Sequence, residues 1–274
     1  MRHLSAAILL ACCLAAPALA GQPINTPRLA SADNFRDLAG ISAAYGGGQT
    51  DPAGTASLRP DIVYRSNALA LSPADKMSLA KLGIGEDIDL RTPAEIQKQP
   101  DQLPPGVIYK NVNIFGGATL PVLDLSTEAA ADQAGVSFYR AFVTNAAERQ
   151  NFRIALLDVA QAKKPVVFHC TAGKDRSGWL AVLLQSVAGV PQPVIVRDYL
   201  ASNAYTAARV KATLATLPPA KRAGYGVMLT VRPEFLDASF AAVQQNYGDM
   251  QGYLTKGLGL TPAQLAELRA KLVD

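Results

Sequence analysis

The stretch PVVFHCTAGKDRSGWLAVLLQSVAGV, residues 165–190, joins two apolar segments through a short polar loop. The first segment, which ends at Cys170, has the continuous apolar character of a strand at the buried centre of a parallel sheet. The second segment, from Ser177 onward, is long enough for a helix, which Gly189 and Pro191 end. The stretch therefore predicts a buried strand, a tight loop and a helix.

The segments on either side alternate in the same way. Strand character is found at residues 61–66, 85–91 and 106–114. Helices are predicted to begin after Ser72 and Thr92, each followed by a proline that suits the first helical position. Residues 136–162 have helical spacing, as one broken helix or two, and further helices are predicted at 194–215, 233–247 and 261–273. We therefore predict an α/β fold with a central, mostly parallel sheet flanked by helices, and a helical C-terminal part.

The domain organisation follows from the distribution of small and polar residues. No Gly-, Ser- or Pro-rich linker divides residues 21–274, so we predict that they form a single domain. Residues 115–135 contain Gly, Pro and acidic residues without clear periodicity. Because long loops of this kind are often functional, we predict that residues 115–135 form a lid loop.

The first 20 residues have the pattern of an export signal. A short positive start precedes residues 4–16, which are apolar but too few to span a bilayer, and ALA at 18–20 offers a cleavage site. The mature protein is therefore expected to begin at Gly21 and to be periplasmic or secreted. A lipoprotein anchored through Cys12 is the second interpretation. After signal removal, no integral membrane segment is expected.

The net charge and the cysteine content indicate which partners and which kind of site to expect. The net charge of +4 is small for 274 residues, which disfavours nucleic acid as a partner but suits an anionic substrate. Cys12 and Cys13 would leave with the signal, so Cys170 would remain as a lone thiol without a disulfide partner. A lone thiol in an exported protein is prone to unwanted oxidation unless it is buried or has a function. The residues around Cys170 indicate a function.

The loop HCTAGKDRSG, residues 169–178, has the chemistry of an anion cradle. Its backbone N–H groups lie at a helix N-terminus and at the carboxyl end of a strand, where anions bind. The helix N-terminus and the charges of Lys174 and Arg176 favour a thiolate at Cys170, to which Ser177 can donate a hydrogen bond. The planar fork of the Arg176 side chain matches two phosphoryl oxygens.

Two other classes of site fit this loop poorly. His169 would be the only histidine of the mature chain, so the ligands of a zinc site are missing and no metal is expected. The loop also lacks the pattern of a nucleotide-binding P-loop. We expect Gly173 to allow the backbone to turn and His169 to order the loop from the strand side.

The loop resembles the His-Cys-x5-Arg-Ser/Thr signature of cysteine-dependent phosphatases. Its Gly-Lys-Asp-Arg core is similar to that of a bacterial protein-tyrosine phosphatase family with tyrosine-, dual- and triple-specificity members. Further segments resemble the same family: NFRDLAG (34–40), VYRSNAL (63–69), IDLRTPAE (88–95), RDYLASN (197–203) and YLTKGLGLT (253–261). Arsenate reductases and rhodanese-like proteins share Cys-x5-Arg, but the added His, Gly-Lys-Asp and Ser disfavour them.

The resemblance implies a cysteine-phosphatase-like fold and hydrolysis of phosphotyrosine, with phosphoserine and phosphothreonine as further substrates, through a phosphocysteine on Cys170. It implies no cofactor. The residues expected to bind the substrate are His169, Thr171, Ala172, Gly173, Lys174 and Ser177, together with the Arg176 clamp. A phosphoinositide or inositol phosphate is the alternative substrate, because phosphoinositide phosphatases also carry a lysine at the place of Lys174. A catalytically inactive phosphate-binding module is the alternative class.

The general acid is the least certain role. The resemblance assigns it to Asp175, and a salt bridge to a neighbouring cation is the competing role for that residue. Asp89, Asp124 and Asp132 remain open as alternatives. Asn34, Arg36, Asp37 and Arg65 are expected to brace the fold, whereas Asp198 and Asn203 are left open between substrate contact and structure.

Overall fold

The computed structural model describes residues 28–40, 58–117 and 119–273. The predicted export signal and Cys12 lie outside these residues. Within them, no helix is both long and apolar enough to cross a membrane.

A five-stranded sheet lies at the centre of the fold. Its strands are β1 (Arg36–Asp37), β2 (Val63–Ser66), β3 (Glu86–Asp89), β4 (Ile108–Asn111) and β5 (Val166–His169). The order across the sheet is β1-β2-β5-β3-β4, and every pair is parallel except β1 with β2. The prediction of a mostly parallel sheet, with the strand before Cys170 at its centre, is therefore confirmed.

Helices cover both faces of the sheet and make up the C-terminal part. They are α1 (Pro73–Lys81), α2 (Pro93–Lys98), α3 (Glu128–Thr144), α4 (Ala146–Gln161), α5 (Arg176–Ala188), α6 (Gln192–Thr216), α7 (Pro219–Leu229), α8 (Pro233–Tyr247), α9 (Met250–Gly252) and α10 (Pro262–Leu272), with a π-helical turn at Tyr253–Gly257. Ser72 and Thr92 cap α1 and α2 as predicted, and Thr92 forms a capping box with Glu95. The sequence reading missed α7, α9 and the π-helical turn.

The prediction of a loop at residues 115–135 is wrong from Glu128 onward. Helix α3 begins at Glu128, where the Thr127 side chain accepts a hydrogen bond from the backbone N–H of Ala130. Gly135 lies inside this helix, and a Cβ at this position would overlap the ring of Phe235. The irregular segment therefore ends at Thr127.

Side chains alternate between two hydrophobic cores along β5. Val166 and Phe168 belong to the larger core, and Val167 belongs to a smaller core on the other face of the sheet. Helix α5 lies in the larger core with 12 of its 13 residues buried. Because the strand and the helix on either side of the loop are both buried, the loop at residues 169–178 is held at both ends.

A buried carboxyl group gives this fold a testable pH dependence. Burial raises the pKa of Glu148, in the first turn of α4, to about 7 from an ordinary value of 4.5, and its Oε2 has no hydrogen-bond partner. Because the folded-state pKa is the higher one, ionisation of Glu148 costs stability that increases as the pH rises from about 4.5 through 7.

Glu148→Gln is therefore expected to raise the free energy of unfolding at pH 8 by about 1–2 kcal/mol, which is less than the full pKa change corresponds to because nearby water screens part of the charge. The gain should vanish near pH 4.5. Urea denaturation at both pH values measures it, with Glu267→Gln at an exposed position of α10 as the control. An equal effect at both pH values would contradict the burial of an unpaired carboxyl group.

Candidate active site

A cavity of about 260 Å3 lies beyond the carboxyl end of β5. Its polar lining includes Cys170, Thr171, Lys174, Asp175, Arg176 and Glu95, so the nucleophile and clamp predicted from the sequence meet in one place. The rest of the lining is mostly apolar and includes Leu120, Pro121, Leu123, Leu125, Phe138, Val227, Met228, Leu229 and Phe235. These apolar residues come from the segment at 119–127 and from α3, α7 and α8.

The loop is bent at Gly173 and fixed from outside the cavity. Gly173 has a φ of +70°, and a Cβ there would overlap the backbone of Ser66. The Arg65 guanidinium donates to the carbonyl oxygen of Gly173 at 3.0 Å, and Asn34 Nδ2 donates to that of Ala172 at 3.0 Å. With these carbonyl groups held on the outside, the loop keeps its curvature without a ligand.

Asp198 anchors Arg65, which holds the loop directly, and Arg36, whose guanidinium donates to the Asn34 side chain. The Asp198 carboxylate accepts from Arg36 Nε at 2.9 Å and from the Arg65 guanidinium at 2.8 Å, and all three side chains are buried. These contacts confirm the bracing role predicted for Asn34, Arg36 and Arg65. Neither Asp198 nor Asn203 lines the cavity, and Asn203 instead bonds the backbone of Val231 through both its amide atoms.

Asp37 also braces the chain, on the side of the sheet's antiparallel edge. Its carboxylate accepts hydrogen bonds from the backbone N–H groups of Ala39 and Asp61. The prediction that Asp37 supports the fold is confirmed.

Cys170 lines the cavity and is otherwise enclosed, with 1% of the residue exposed. Burial opposes ionisation of the thiol, but the charge of Arg176 and hydrogen bonding by the side chain and backbone of Ser177 outweigh it and lower the pKa of Cys170. The Ser177 hydroxyl is itself buried without a nitrogen or oxygen partner, which leaves it available to the sulfur. The loop therefore favours the thiolate.

Removing this hydroxyl should make the thiol less acidic. We expect Ser177→Ala to raise the midpoint pH for alkylation of Cys170 by iodoacetamide by about one pH unit, because a hydrogen bond to the thiolate is lost. Mass spectrometry of the Cys170 peptide after timed alkylation gives the rate at each pH. Ser186→Ala is the control, because its hydroxyl bonds the Val182 carbonyl on the same helix. An unchanged midpoint in Ser177→Ala would contradict the assignment.

Arg176 is oriented by a carboxylate that the sequence analysis did not single out. Its two terminal nitrogens donate to Glu95 Oε2 and Oε1 at 2.8 and 2.7 Å, which makes a bidentate ion pair. Burial opposes ionisation of Glu95, but hydrogen bonds from Arg176 and Thr171 outweigh it and lower the pKa of Glu95 to about 2. Glu95 is therefore ionised and fixes the guanidinium beside the sulfur.

One signal in the sequence pointed to Glu95. It closes the capping box that begins at Thr92, and its Oε2 accepts hydrogen bonds from both the backbone N–H and the hydroxyl of Thr92. A capping box predicts where a helix begins, but it does not predict an ion pair with a residue far away in the sequence. The pairing of Glu95 with Arg176 is therefore visible only in the tertiary structure.

Asp175 occupies the N-cap position of α5, but its side chain does not cap the helix. Its Oδ1 instead accepts a hydrogen bond from Tyr139 Oη at 2.8 Å, and Lys174 Nζ lies 2.8 Å from both carboxylate oxygens. Asp175 therefore has both a salt bridge, which was the competing role for it, and a place in the cavity wall.

The other three candidate acids do not line the cavity. Asp89 is fully buried and ion-paired with Arg91 at 2.8 Å. Asp124 is exposed and accepts from the backbone N–H of Ser126, and Asp132 pairs with Arg232 at 2.7 Å. Among the four aspartates considered from the sequence, only Asp175 lines the cavity.

His169 lies beneath the loop and does not line the cavity. Its Nε2 is 3.2 Å from Asp87 and 3.4 Å from Asp101, and its Nδ1 is 3.3 Å from the carbonyl oxygen of Cys170. Burial opposes protonation, but the negative charge of Asp87 and the close approach of Asp101 outweigh it and raise the pKa of His169 well above its usual value. The imidazolium therefore orders the loop from the strand side.

The same three side chains form the one group in the described residues whose spacing suits a metal ion. A protonated imidazole has no lone pair to offer a metal. Because the cluster already neutralises its carboxylates through His169 and Arg91, it is better described as a buried ion-pair network.

Comparison with known proteins extends the similarity beyond the loop. A model of the tyrosine phosphatase family matches residues 27–274. The chain is 35% identical to a putative tyrosine-protein phosphatase of Cupriavidus necator, over 92% of this chain and 94% of that protein. It is 29% identical to the triple specificity protein phosphatase of Mycobacterium tuberculosis, over 89% and 98%. A tyrosine-protein phosphatase of Nostoc commune is 32% identical, over 74% and 70%.

Proposed function

This chain belongs to the tyrosine phosphatase family and is a protein-tyrosine phosphatase, and we propose that it hydrolyses phosphotyrosine through a phosphocysteine intermediate on Cys170. The observation that carries the proposal is the meeting of Cys170 and a Glu95-oriented Arg176 in one cavity. We assign the nucleophile to Cys170, the clamp to Arg176 and the general acid to Asp175. Backbone N–H groups of the loop at residues 171–176 bind the phosphoryl oxygens.

In the first step the Cys170 thiolate attacks phosphorus and forms an S–P bond as the P–O bond to the tyrosine breaks. Asp175 donates a proton to the leaving oxygen, so the tyrosine departs as a neutral phenol and Asp175 is left as a carboxylate. Arg176 and the loop amides stabilise the charge on the three oxygens that move through the transition state.

In the second step water hydrolyses the intermediate. The Asp175 carboxylate takes a proton from the attacking water as the new P–O bond forms, and the S–P bond breaks to return the electron pair to Cys170 as thiolate. Inorganic phosphate leaves, and Asp175 is protonated again for the next cycle. The lowered pKa of Cys170 suits both its attack and its departure.

Asp175→Asn tests the acid directly. We expect kcat/KM for phenyl phosphate to fall about 100-fold or more, because the poor leaving group needs a proton, and kcat/KM for p-nitrophenyl phosphate to fall much less. Steady-state rates with a series of substituted phenyl phosphates measure the difference. Asp132→Asn is the control, because Asp132 does not line the cavity and pairs with Arg232. Equal slowing across the series would show that Asp175 has only a structural role.

The cavity favours an aryl phosphate over an inositol phosphate as substrate. Its wall beyond the loop is largely apolar, with Leu123, Leu125, Phe138 and Phe235 among the lining residues. A tyrosine ring fits such a wall, whereas the hydroxyl groups of inositol would lose their water without gaining hydrogen-bond partners. We therefore place phosphotyrosine peptides first and phosphoinositides second.

Specificity ratios test this order. We expect kcat/KM for phosphotyrosine peptides to exceed that for soluble phosphoinositides and inositol phosphates, with phosphoserine and phosphothreonine peptides measured in the same panel. A higher value for a phosphoinositide would reverse the order while leaving the chemistry intact. Phosphate binding without turnover of any substrate would favour an inactive binding module.

We also propose that the protein is exported, on the strength of the signal pattern at residues 1–20. Expression in a Gram-negative host followed by fractionation tests this, with a chain lacking residues 1–20 as the control. Processing after residue 20 with activity outside the inner membrane is the expected result. Lipid attachment that Cys12→Ser abolishes would favour the lipoprotein interpretation, and full retention in the cytoplasm would contradict export.

A further inference from the structure

We infer that Tyr139 is a positioning residue for the general acid, and that its hydroxyl fixes which carboxylate oxygen of Asp175 carries the transferred proton. This inference rests on the proposed function, because it takes Asp175 to be the acid. It concerns a residue of α3 that is far from the phosphate-binding loop in sequence and that none of the sequence motifs includes.

The first observation is the unusual state of Asp175. An aspartate at a helix N-cap ordinarily accepts a hydrogen bond from a backbone N–H in the first turn. Asp175 makes no such bond, and its Oδ1 accepts instead from Tyr139 Oη at 2.8 Å. The side chain therefore bonds a tyrosine of another helix, in addition to Lys174, in place of a backbone N–H of its own helix, and it lies in the cavity wall.

The second observation is the rigidity of the donor. Tyr139 is 1% exposed, and its ring packs against Phe142, Tyr199 and Phe235 at centroid distances of 5.2 to 5.9 Å. The carbonyl group of Tyr139 also accepts a hydrogen bond from Ser239 Oγ at 2.8 Å. Both the ring and the backbone are thus held, so the hydroxyl has a fixed position.

The third observation is the chemistry of the contact. Burial, then the negative charge of Asp175, raises the pKa of Tyr139 well above its usual value, so the phenol is neutral and donates. Because Oδ1 accepts that hydrogen bond, the proton of neutral Asp175 resides on Oδ2. Lys174 Nζ lies 2.8 Å from both oxygens and discriminates between them little, so Tyr139 supplies the asymmetry.

This arrangement predicts a specific effect of removing one hydroxyl group. In Tyr139→Phe, Asp175 keeps its salt bridge to Lys174 but loses the contact that orients it. We expect kcat/KM for phenyl phosphate to fall about tenfold, the effect of losing one hydrogen bond, and kcat/KM for p-nitrophenyl phosphate to change less than about twofold. A merely structural role would slow both substrates equally.

The experiment compares Tyr139→Phe, Asp175→Asn and the double variant across a series of substituted phenyl phosphates. Tyr253→Phe is the matched control, because Tyr253 is also fully buried but its hydroxyl donates to the Phe142 carbonyl group, away from the cavity. We expect the control to match the unmodified protein, and the double variant to be no slower than Asp175→Asn, since the hydroxyl acts only through the acid.

Leaving-group-dependent slowing in Tyr139→Phe that disappears in the Asp175→Asn background supports the inference. Uniform slowing, no slowing, or slowing that adds to that of Asp175→Asn would overturn it while leaving Asp175 as the acid. If Asp175→Asn itself shows no dependence on the leaving group, the proposed acid is wrong and the inference falls with it.

Discussion

Cys170→Ser is expected to lower kcat/KM for p-nitrophenyl phosphate by about ten-thousand-fold or more. A serine hydroxyl remains protonated near neutral pH, whereas the loop lowers the pKa of the Cys170 thiol. The substitution changes one atom at a buried position, so the loop and the Arg176–Glu95 pair should keep their geometry.

The control for this variant is its affinity for inorganic phosphate. Isothermal titration should give a dissociation constant within about tenfold of that of the unmodified protein, because the loop amides and Arg176 remain. Loss of activity with binding retained separates chemistry from folding. A Cys170→Ser protein as active as the unmodified one would rule out the phosphocysteine mechanism.

Arg176→Lys should have the second largest effect, a fall in kcat/KM of about a thousand-fold. Lysine keeps the charge but cannot bind Glu95 through two nitrogens and a phosphoryl group at the same time, as the planar guanidinium can. The loss should appear with every leaving group alike, because Arg176 acts on the transferring phosphoryl group and not on the departing oxygen.

Arg209→Lys is the matched control, since Arg209 also lines the cavity but pairs with Asp33 and not with Glu95. We expect it to change kcat/KM less than about threefold. Steady-state kinetics with p-nitrophenyl phosphate compares the two variants. Similar effects of Arg176→Lys and Arg209→Lys would mean that the cavity needs only positive charge, and would contradict the role of the fork.

Local sequence signals predicted the centre of this fold well. The apolar run before Cys170, the caps at Ser72 and Thr92, and the stop at Gly189 each depend on neighbouring residues alone, and each lies where the pattern indicated. The identity of the loop also depends on a short spacing, so the nucleophile and the clamp were visible without a structure.

The features that sequence analysis missed depend on tertiary contacts. Gly135 weakens the helical pattern of α3, but it is needed because Phe235 packs against it. Glu95 and Tyr139 reach residues 81 and 36 positions away in the chain. No periodicity or spacing rule connects such pairs, so the partners that orient Arg176 and Asp175 emerged only from the structure.

The central claim is the covalent intermediate on Cys170. Rapid mixing of the protein with p-nitrophenyl phosphate, quenching with an alkaline denaturant within the first turnover and mass spectrometry of its peptides at alkaline pH test for this intermediate. In the unmodified protein we expect one phosphoryl group on the peptide that contains Cys170, and in Cys170→Ser we expect none on that peptide. Turnover at the normal rate with a phosphoryl group on another residue, or with none on Cys170, would contradict it.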